Sequence, residues 1–276
     1  MKWAGGKKQL LDQFASLFPK RFDRYFEPMV GSGAVFFYIT KTYNPKSCMI
    51  SDINENLMQL YIVVRDRVDE LIKELREHKA QHMHDPETYY YTMRERYNSM
   101  DYRTAETKLE KSALMLYLNK TCFNGLYRVN SEGKFNVPLG RYKNPAIVQK
   151  QKLHRASQLL QDVEIRVMGF EKVLNFVKEN DFVYFDPPYY PLSATSSFTS
   201  YQKDAFLDKQ QKQLAQVFRD ADKRGCLVML SNSDTDFIRD LYGGYDIQVV
   251  KAKRMINCKA EGRGAINELV IRNYQS

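Results

Sequence analysis

The sequence predicts an α/β protein: an open, mostly parallel sheet with an antiparallel hairpin at one edge, interrupted by a mostly helical insertion that carries a β-hairpin of its own. Three observations lead there. Short β-branched or aromatic runs alternate with longer helical patterns, the rhythm of strands joined by crossover helices. Mid-chain the rhythm breaks, and apolar residues recur at helical steps instead. The last two strand-like runs flank a glycine-containing basic loop, 253–265, and fit an edge hairpin.

Taken in order, the predicted strands cover residues 24–27, 47–52, 164–168, 181–185, 226–230, 245–252 and 267–272. A helix is predicted to run from Ala34 to Ile39, and another over 209–224, closed by Gly225 in the position of a helix C-cap. Within the insertion, Leu57, Leu60, Tyr61, Val64, Val68, Leu71 and Leu75 fall three or four residues apart, so one helical stretch over 56–78 with a buried face is expected. Helical stretches at 88–97 and 106–119 follow. Residues 123–142 then turn glycine- and asparagine-rich, and Ser131-Glu132-Gly133-Lys134 reads as a hairpin turn. The predicted organisation is a discontinuous domain, 1–56 with 146–276, and an inserted domain, 57–145.

At 276 residues the chain is long enough for a full α/β core and a second, smaller domain. No apolar run approaches the ~18 residues that a membrane span needs. The opening residues lack the apolar core of a signal peptide. No membrane partner is expected, and the expected location is the cytoplasm. Cys48, Cys122, Cys226 and Cys258 are far apart and form no Cys-x-x-Cys pair, a pattern that suits free thiols better than disulfides or structural zinc. The formal net charge of +9 favours a polyanionic partner, of which nucleic acid is the commonest.

The sharpest chemical signal is Asp186-Pro187-Pro188-Tyr189, directly after the strand-like 181–185. Sites in open α/β sheets lie beyond the carboxyl ends of strands. Two prolines stiffen the backbone, making Asp186 and the Pro187 carbonyl fixed acceptors beside the flat Tyr189 ring. That combination suits an exocyclic amine on a flat base. An ordinary strand-ending turn has the same composition. A second signal is the glycine turn of Phe26-Glu27-Pro28-Met29-Val30-Gly31-Ser32-Gly33, where Gly31 and Gly33 permit close approach by a ligand. No P-loop lysine follows it, and Asp52, about 20 residues on, suits ribose hydroxyls. A nucleoside without phosphates fits both facts.

These motifs, with others along nearly the whole chain, resemble the DNA adenine methylase family (Dam-like, GATC-modifying). Lys2-Trp3-Ala4-Gly5-Gly6-Lys7 is similar to its first motif, 26–33 to its cofactor loop and 186–189 to its catalytic tetrapeptide. Phe123-Asn124-Gly125-Leu126-Tyr127-Arg128, with Phe135-Asn136-Val137-Pro138, resembles its recognition hairpin. Residues 191–201, including Ser197 and Thr199, resemble the DNA-contacting loop that closes over an extruded base. The resemblance implies a Rossmann-like methyltransferase fold, S-adenosyl-L-methionine as cofactor and double-stranded DNA as partner. Trp3, Gly5, Gly6, Lys7, Glu27, Pro28, Gly31, Gly33, Asp52 and Asp186 would line the cofactor pocket, with Phe170 against the cofactor's adenine. Arg128 would read a guanine, Lys2 the first guanine, Leu126 and Pro138 would pack on neighbouring bases, and Phe123 and Asn124 would hold the distorted duplex. On physics alone Arg128 fits a phosphate clamp equally well.

One departure stands out. Met168-Gly169 replaces the Gly-Asp that the family usually has before the phenylalanine. The missing aspartate would contact the cofactor's adenine amine, so a loss of about 1–2 kcal/mol in affinity is expected. The implied chemistry is extrusion of the base followed by direct attack of its amine on the sulfonium methyl, with no cysteine nucleophile. Two settings are open to such an enzyme: acting alone, or protecting a host against a cognate restriction endonuclease.

His78, His82 and His84 have no cysteine nearby, and no metal is expected. The basic residues of 251–254 and 259–263 suit phosphates or a solvated loop. Ser231-Asn232-Ser233-Asp234 is read as following a strand, either bracing the site or capping the next helix. The competing readings are a methyltransferase for RNA adenine or protein glutamine, and a silent DNA-binding protein.

Overall fold

The computed structural model describes residues 3, 5–101, 103–192, 206–253 and 265–275. The chain forms two compact units, one of Met1–Gly6 with Asn54–Val167 and one of Lys7–Ile53 with Met168–Ser276.

The second unit carries strands β1 (Tyr25–Pro28), β2 (Cys48–Asp52), β4 (Phe182–Phe185), β5 (Leu227–Ser233), β6 (Asp246–Lys253) and β7 (Ala265–Arg272); β3 (Val163–Val167) lies in the first. Within the second unit the order is β2-β1-β4-β5-β7-β6. The β1–β2, β1–β4 and β4–β5 pairs are parallel, and β7 runs antiparallel to both β5 and β6. This is the open, mostly parallel sheet with an antiparallel hairpin at one edge that the sequence predicts. The central strands are buried on both faces, which is why β4 reads as the unbroken apolar run Phe-Val-Tyr-Phe. Helices α1 (Leu11–Phe14), α2 (Ala34–Tyr43), α8 (Asp208–Lys223) and α9 (Asp236–Leu241) belong to the same unit. One core cluster joins Val183, Phe185, Val228 and Leu230 of the sheet to Leu214, Phe218 and Ala221 of α8. α8 ends at Lys223, and Gly225 takes φ +77, the left-handed backbone that a helix terminator needs.

An ion pair fixes the register at the entrance of the two central strands. Arg24 donates from Nε to Asp181 Oδ1 at 3.0 Å and from Nη2 to Oδ2 at 2.6 Å, with Asp181 fully buried. Tyr25 then pairs with Phe182 and Phe26 with Val183, so β1 and β4 end side by side.

The first unit is helical: α3 (Glu55–Asp66), α4 (Val68–His84), α5 (Pro86–Ser99), α6 (Ala105–Thr121) and α7 (Lys150–Leu160). α6 packs against α3, α4 and α5, and is apolar nearly all round from Ala113 to Leu118 because it is enclosed on several sides. Two sequence expectations are corrected. The stretch 56–78 is not continuous: the chain breaks at Arg67 (φ −135, ψ 38), whose guanidinium bonds Glu70 and the carbonyl of Ala105. Residues 231–233 do not follow β5 but complete it, because Ser231, Asn232 and Ser233 pair with Val270, Leu269 and Glu268 of β7. The side chain of Thr235 caps α9 instead. Among the described residues no helix is long and apolar enough to cross a membrane.

Two of the histidines face the interior of the helical unit. His82 Nδ1 bonds Tyr117 Oη at 2.9 Å, and His78 Nδ1 bonds Tyr89 Oη at 2.8 Å while its ring stacks on Tyr117. Burial, aided by the charge of Arg96, pushes His78 down to about 4; burial also lowers His82. Both rings are therefore neutral in the folded protein at neutral pH, while in the unfolded chain they take up protons near 6.5. The stability they contribute is complete above about pH 6.5 and is lost as pH falls, for His78 by up to about 1.4 kcal/mol per pH unit down to about pH 4. Denaturant melts between pH 7 and pH 4 are expected to show this slope, and His78→Gln to flatten it. An unchanged slope in that variant would remove His78 from the account.

Candidate active site

The carboxyl ends of β1, β2 and β4 lie at one edge of the sheet, and polar residues gather there. β1 ends at Pro28, and the chain turns through Met29 (φ +71), Gly31 (φ +50) and Gly33 (φ +69) into α2. The left-handed backbone at 31 and 33 explains both glycines. Gly31 N–H donates to Asp52 Oδ2 at 3.2 Å, so the last residue of β2 braces this turn. Glu27, 2 % exposed, accepts from Tyr25 Oη at 2.5 Å. Burial raises its carboxyl well above the usual range, countered by the Tyr25 bond and reinforced by the charge of Asp186.

Asp186 follows β4. Its Oδ1 holds Lys7 Nζ at 2.6 Å and accepts from Ser231 Oγ at 3.1 Å. Ser231 in turn bonds Tyr184 Oη at 2.9 Å, so Tyr184 donates to Ser231 and Ser231 to Asp186. Oδ2 has no hydrogen-bond partner among the described residues. Burial raises the Asp186 carboxyl, while Lys7 and Ser231 pull it down. Tyr189 is fixed at its tip, where its hydroxyl donates to Glu268 Oε2 of β7 at 2.6 Å, and Lys7 Nζ lies 4.5 Å from its ring centre. Glu268 is itself raised by burial, with Lys7 opposing. The Pro188 carbonyl accepts from Gln211 of α8, and Asn232 holds the Tyr190 amide. Phe170 is buried beside Met168 in the core, with Phe206 edge-on to its ring.

The structure thus brings together Lys7, Glu27, Pro28, Gly31, Gly33, Asp52, Phe170 and the 186–189 tetrapeptide in one unit. Trp3, Gly5 and Gly6 belong to the other unit, where Trp3 stacks on Tyr127 with ring centres 4.9 Å apart. Lys7 was read only as part of a cofactor motif, yet its ammonium lies on Asp186 and Tyr189. Ser231-Asn232-Ser233-Asp234 was read as either bracing the site or capping a helix, and Ser231 does bond Asp186. Glu268, Tyr184, Gln211 and the 78 % exposed Ile53 were not singled out, and no local pattern in the sequence marks them. Lys2, Ser197, Thr199 and the loop around them, together with residues 254–264 of the basic loop, lie outside the described residues.

In the helical unit the recognition motif forms a hairpin. Val129 bridges Phe135, Gly133 takes φ +75 at the turn, and Asn130 Oδ1 accepts from the amides of Glu132 and Lys134. Polar anchors hold it: half-buried Asn98 makes both bonds to the Phe135 backbone, and from the interior Tyr90 Oη donates to the Val137 carbonyl and Asn119 to the Gly125 carbonyl. Phe123, Arg128 and Pro138 are exposed, Leu126 and Asn124 partly so, and Asn124 takes φ +55. Asn136 Oδ1 accepts Arg128 Nε at 2.8 Å, fixing the plane of that guanidinium.

The chain thus carries a glycine turn, the Asp52 carboxylate and the 186–189 tetrapeptide at the carboxyl edge of its sheet, where open α/β folds place their sites. Its family follows from comparison: residues 3–256 match the model of the D12 class N6 adenine-specific DNA methyltransferases, and the chain belongs to that family. It is 48 % identical over 285 residues to the Type II methyltransferase M.MjaIII of Methanocaldococcus jannaschii, covering 99 % of this chain and 98 % of that protein. It is 39 % identical to the Type II methyltransferase M1.LlaDCHI of Lactococcus lactis subsp. cremoris, covering 99 % and 94 %, and 35 % identical to the DNA adenine methylase of Escherichia coli K12, covering 98 % and 93 %. The chain is an adenine-specific DNA methyltransferase, and S-adenosyl-L-methionine is its cofactor. The residues present fit that molecule. Glu27, Asp186 and Glu268 share one buried ammonium, Lys7, so acids outnumber cations at this edge, and the cofactor brings a sulfonium and an ammonium against a single carboxylate.

Protonation would turn Asp186 from an acceptor into a donor, so methyl transfer is expected to fall on the acid side at a pH above the ordinary aspartate range. Ser231→Ala removes a bond that stabilises the charged form and is expected to move this limb to higher pH. A pH–rate profile checks both, and an unmoved limb in the variant would detach Ser231 from Asp186.

Proposed function

We propose that this enzyme methylates the exocyclic amine of adenine within GATC in double-stranded DNA, extruding the base from the helix and transferring the methyl group directly. The unpartnered Oδ2 of Asp186 carries the reading. With Oδ1 held by Lys7 and Ser231, the carboxylate is fixed in orientation and presents one acceptor. An adenine amine donating to Oδ2 and to the Pro187 carbonyl loses conjugation with its ring, and its lone pair is aimed at the electrophile. Tyr189, anchored by Glu268, supplies a flat surface for the base. When bound, S-adenosyl-L-methionine supplies an electrophilic methyl on sulfur. Asp52 accepts from its ribose hydroxyls, the 31–33 turn lets it approach the backbone, and Glu27 faces its cationic end. The amine's excess proton leaves to Asp186 or to solvent.

Residues 1–56 and 146–276 form the catalytic part and 57–145 the target-recognition part. Arg128, its plane set by Asn136, reads a guanine edge by a bidentate contact, as arginine commonly does in the major groove. Leu126 and Pro138 pack on neighbouring bases, and Phe123 and Asn124 hold the opened duplex. Lys2, Ser197 and Thr199 join the DNA contacts. Trp3, Gly5 and Gly6 complete the cofactor side. A chromosomal substrate puts the enzyme in the cytoplasm.

The deciding experiment is methyl transfer from labelled S-adenosyl-L-methionine to a duplex containing GATC and to one with those four bases permuted. Label on GATC alone is expected, and label on both would remove the sequence assignment. Asp186→Ala is expected to abolish transfer with DNA binding largely kept, and near-normal turnover would overturn the mechanism. Arg128→Ala is expected to lose about 1–3 kcal/mol of discrimination at one guanine. An equal loss on every sequence would make Arg128 a phosphate contact.

A further inference from the structure

The turn after Met168 holds a carboxylate with no assigned role. Met168 N–H donates to the Asp52 carbonyl at 3.2 Å, so the residues just beyond that bond, Ile53 and Gly169, leave the edge of the sheet next to Asp52. Gly169 has an ordinary extended backbone (φ −70, ψ 155) that any residue adopts, so its backbone does not demand glycine. A Cβ built there would lie 2.4 Å from Glu171 Oε2 and 2.6 Å from Oε1, the far end of a flexible side chain, so a larger residue at 169 would have to push that carboxylate aside. The side chain of Glu171 folds back across residue 169 and puts its carboxylate where the first side-chain atom of 169 would be. That carboxylate has no hydrogen bond or ion pair among the described residues.

We propose that Glu171, reaching over Gly169, is the acceptor that recognises the exocyclic amine of the cofactor's own adenine. The inference rests on the cofactor placement above. With the ribose on Asp52, the adenine lies one step further along the edge, where the exposed Ile53 and the buried Phe170 offer apolar surface. A flat, apolar ring with one donor edge needs an acceptor at its rim, and Glu171 is a carboxylate there without a protein partner. An ionised carboxylate accepts only, so it favours adenine, whose C6 amine donates, and repels hypoxanthine, whose C6 carbonyl accepts. Glycine at 169 and glutamate at 171 then form one device: removing the side chain at 169 makes room for the carboxylate from 171.

The test is calorimetric binding of S-adenosylhomocysteine and S-inosylhomocysteine to the full chain. The native protein is expected to prefer the adenosyl compound by tenfold or more. Glu171→Ala is expected to bring the two affinities within about twofold, with an unchanged melting temperature as the check on folding. The double variant Gly169→Asp/Glu171→Ala carries a carboxylate on the vacated side and is expected to regain the preference. A Glu171→Ala protein that keeps the native preference would overturn the proposal while leaving the cofactor site intact. A native protein that binds neither compound would overturn the cofactor placement itself.

Discussion

A single buried ammonium governs the chemistry of the sheet edge. Lys7, 3 % exposed, bonds Asp186 and sits over Tyr189, and its charge also reaches Glu27 and Glu268. Three carboxylates and one cation in a poorly solvated space cannot all be charged at low cost. Burial pushes each acid upward, and contact with Lys7 opposes that rise at Asp186. Deleting Lys7 would leave an uncompensated buried carboxylate, which typically costs about 3–5 kcal/mol. The same imbalance makes the edge receptive to a ligand of net positive charge.

The sheet supplies the geometry for that balance. Arg24 and Asp181 lock β1 and β4 where the strands begin, so the strand ends carrying Glu27 and leading to Asp186 are aligned several residues away. β7 enters antiparallel beside β5 and delivers Glu268 opposite Ser233, close enough to hold Tyr189. The edge hairpin is thus part of what holds the 186–189 tetrapeptide. In the helical unit the recognition hairpin makes only isolated bridges and has little sheet of its own. Its shape comes from Asn98, Tyr90 and Asn119, which satisfy its backbone from the neighbouring helices and leave its exposed side chains outside that framework.

Local sequence was sufficient wherever the interaction is local. The strand-like runs, the glycine turn at 31–33, the helix stop at Gly225 and the 131–134 turn each depend on a few adjacent residues, and each appears within about three residues of its expected place. The break at Arg67 escaped because helical spacing continues through it, and the break is set by side-chain bonds to Glu70 and to a carbonyl 38 residues away. Ser231–Ser233 looked like a loop because polarity normally marks strand ends. They are strand because β7 pairs with them and because their side chains serve a buried polar site.

What the sequence determined by itself is the order of elements and the place of the 186–189 tetrapeptide at the carboxyl edge of the sheet, directly after β4. These follow from alternation, turn chemistry and the stiffness of two prolines, all short-range properties. Tertiary structure alone decided which oxygen of Asp186 is engaged, that Lys7 balances it, that Glu268 anchors Tyr189, and that Glu171 fills the space opened by Gly169. Those pairings join residues up to 179 positions apart in the case of Lys7 and Asp186. Sequence spacing carries no information about such contacts, because the sheet order and register bring them together.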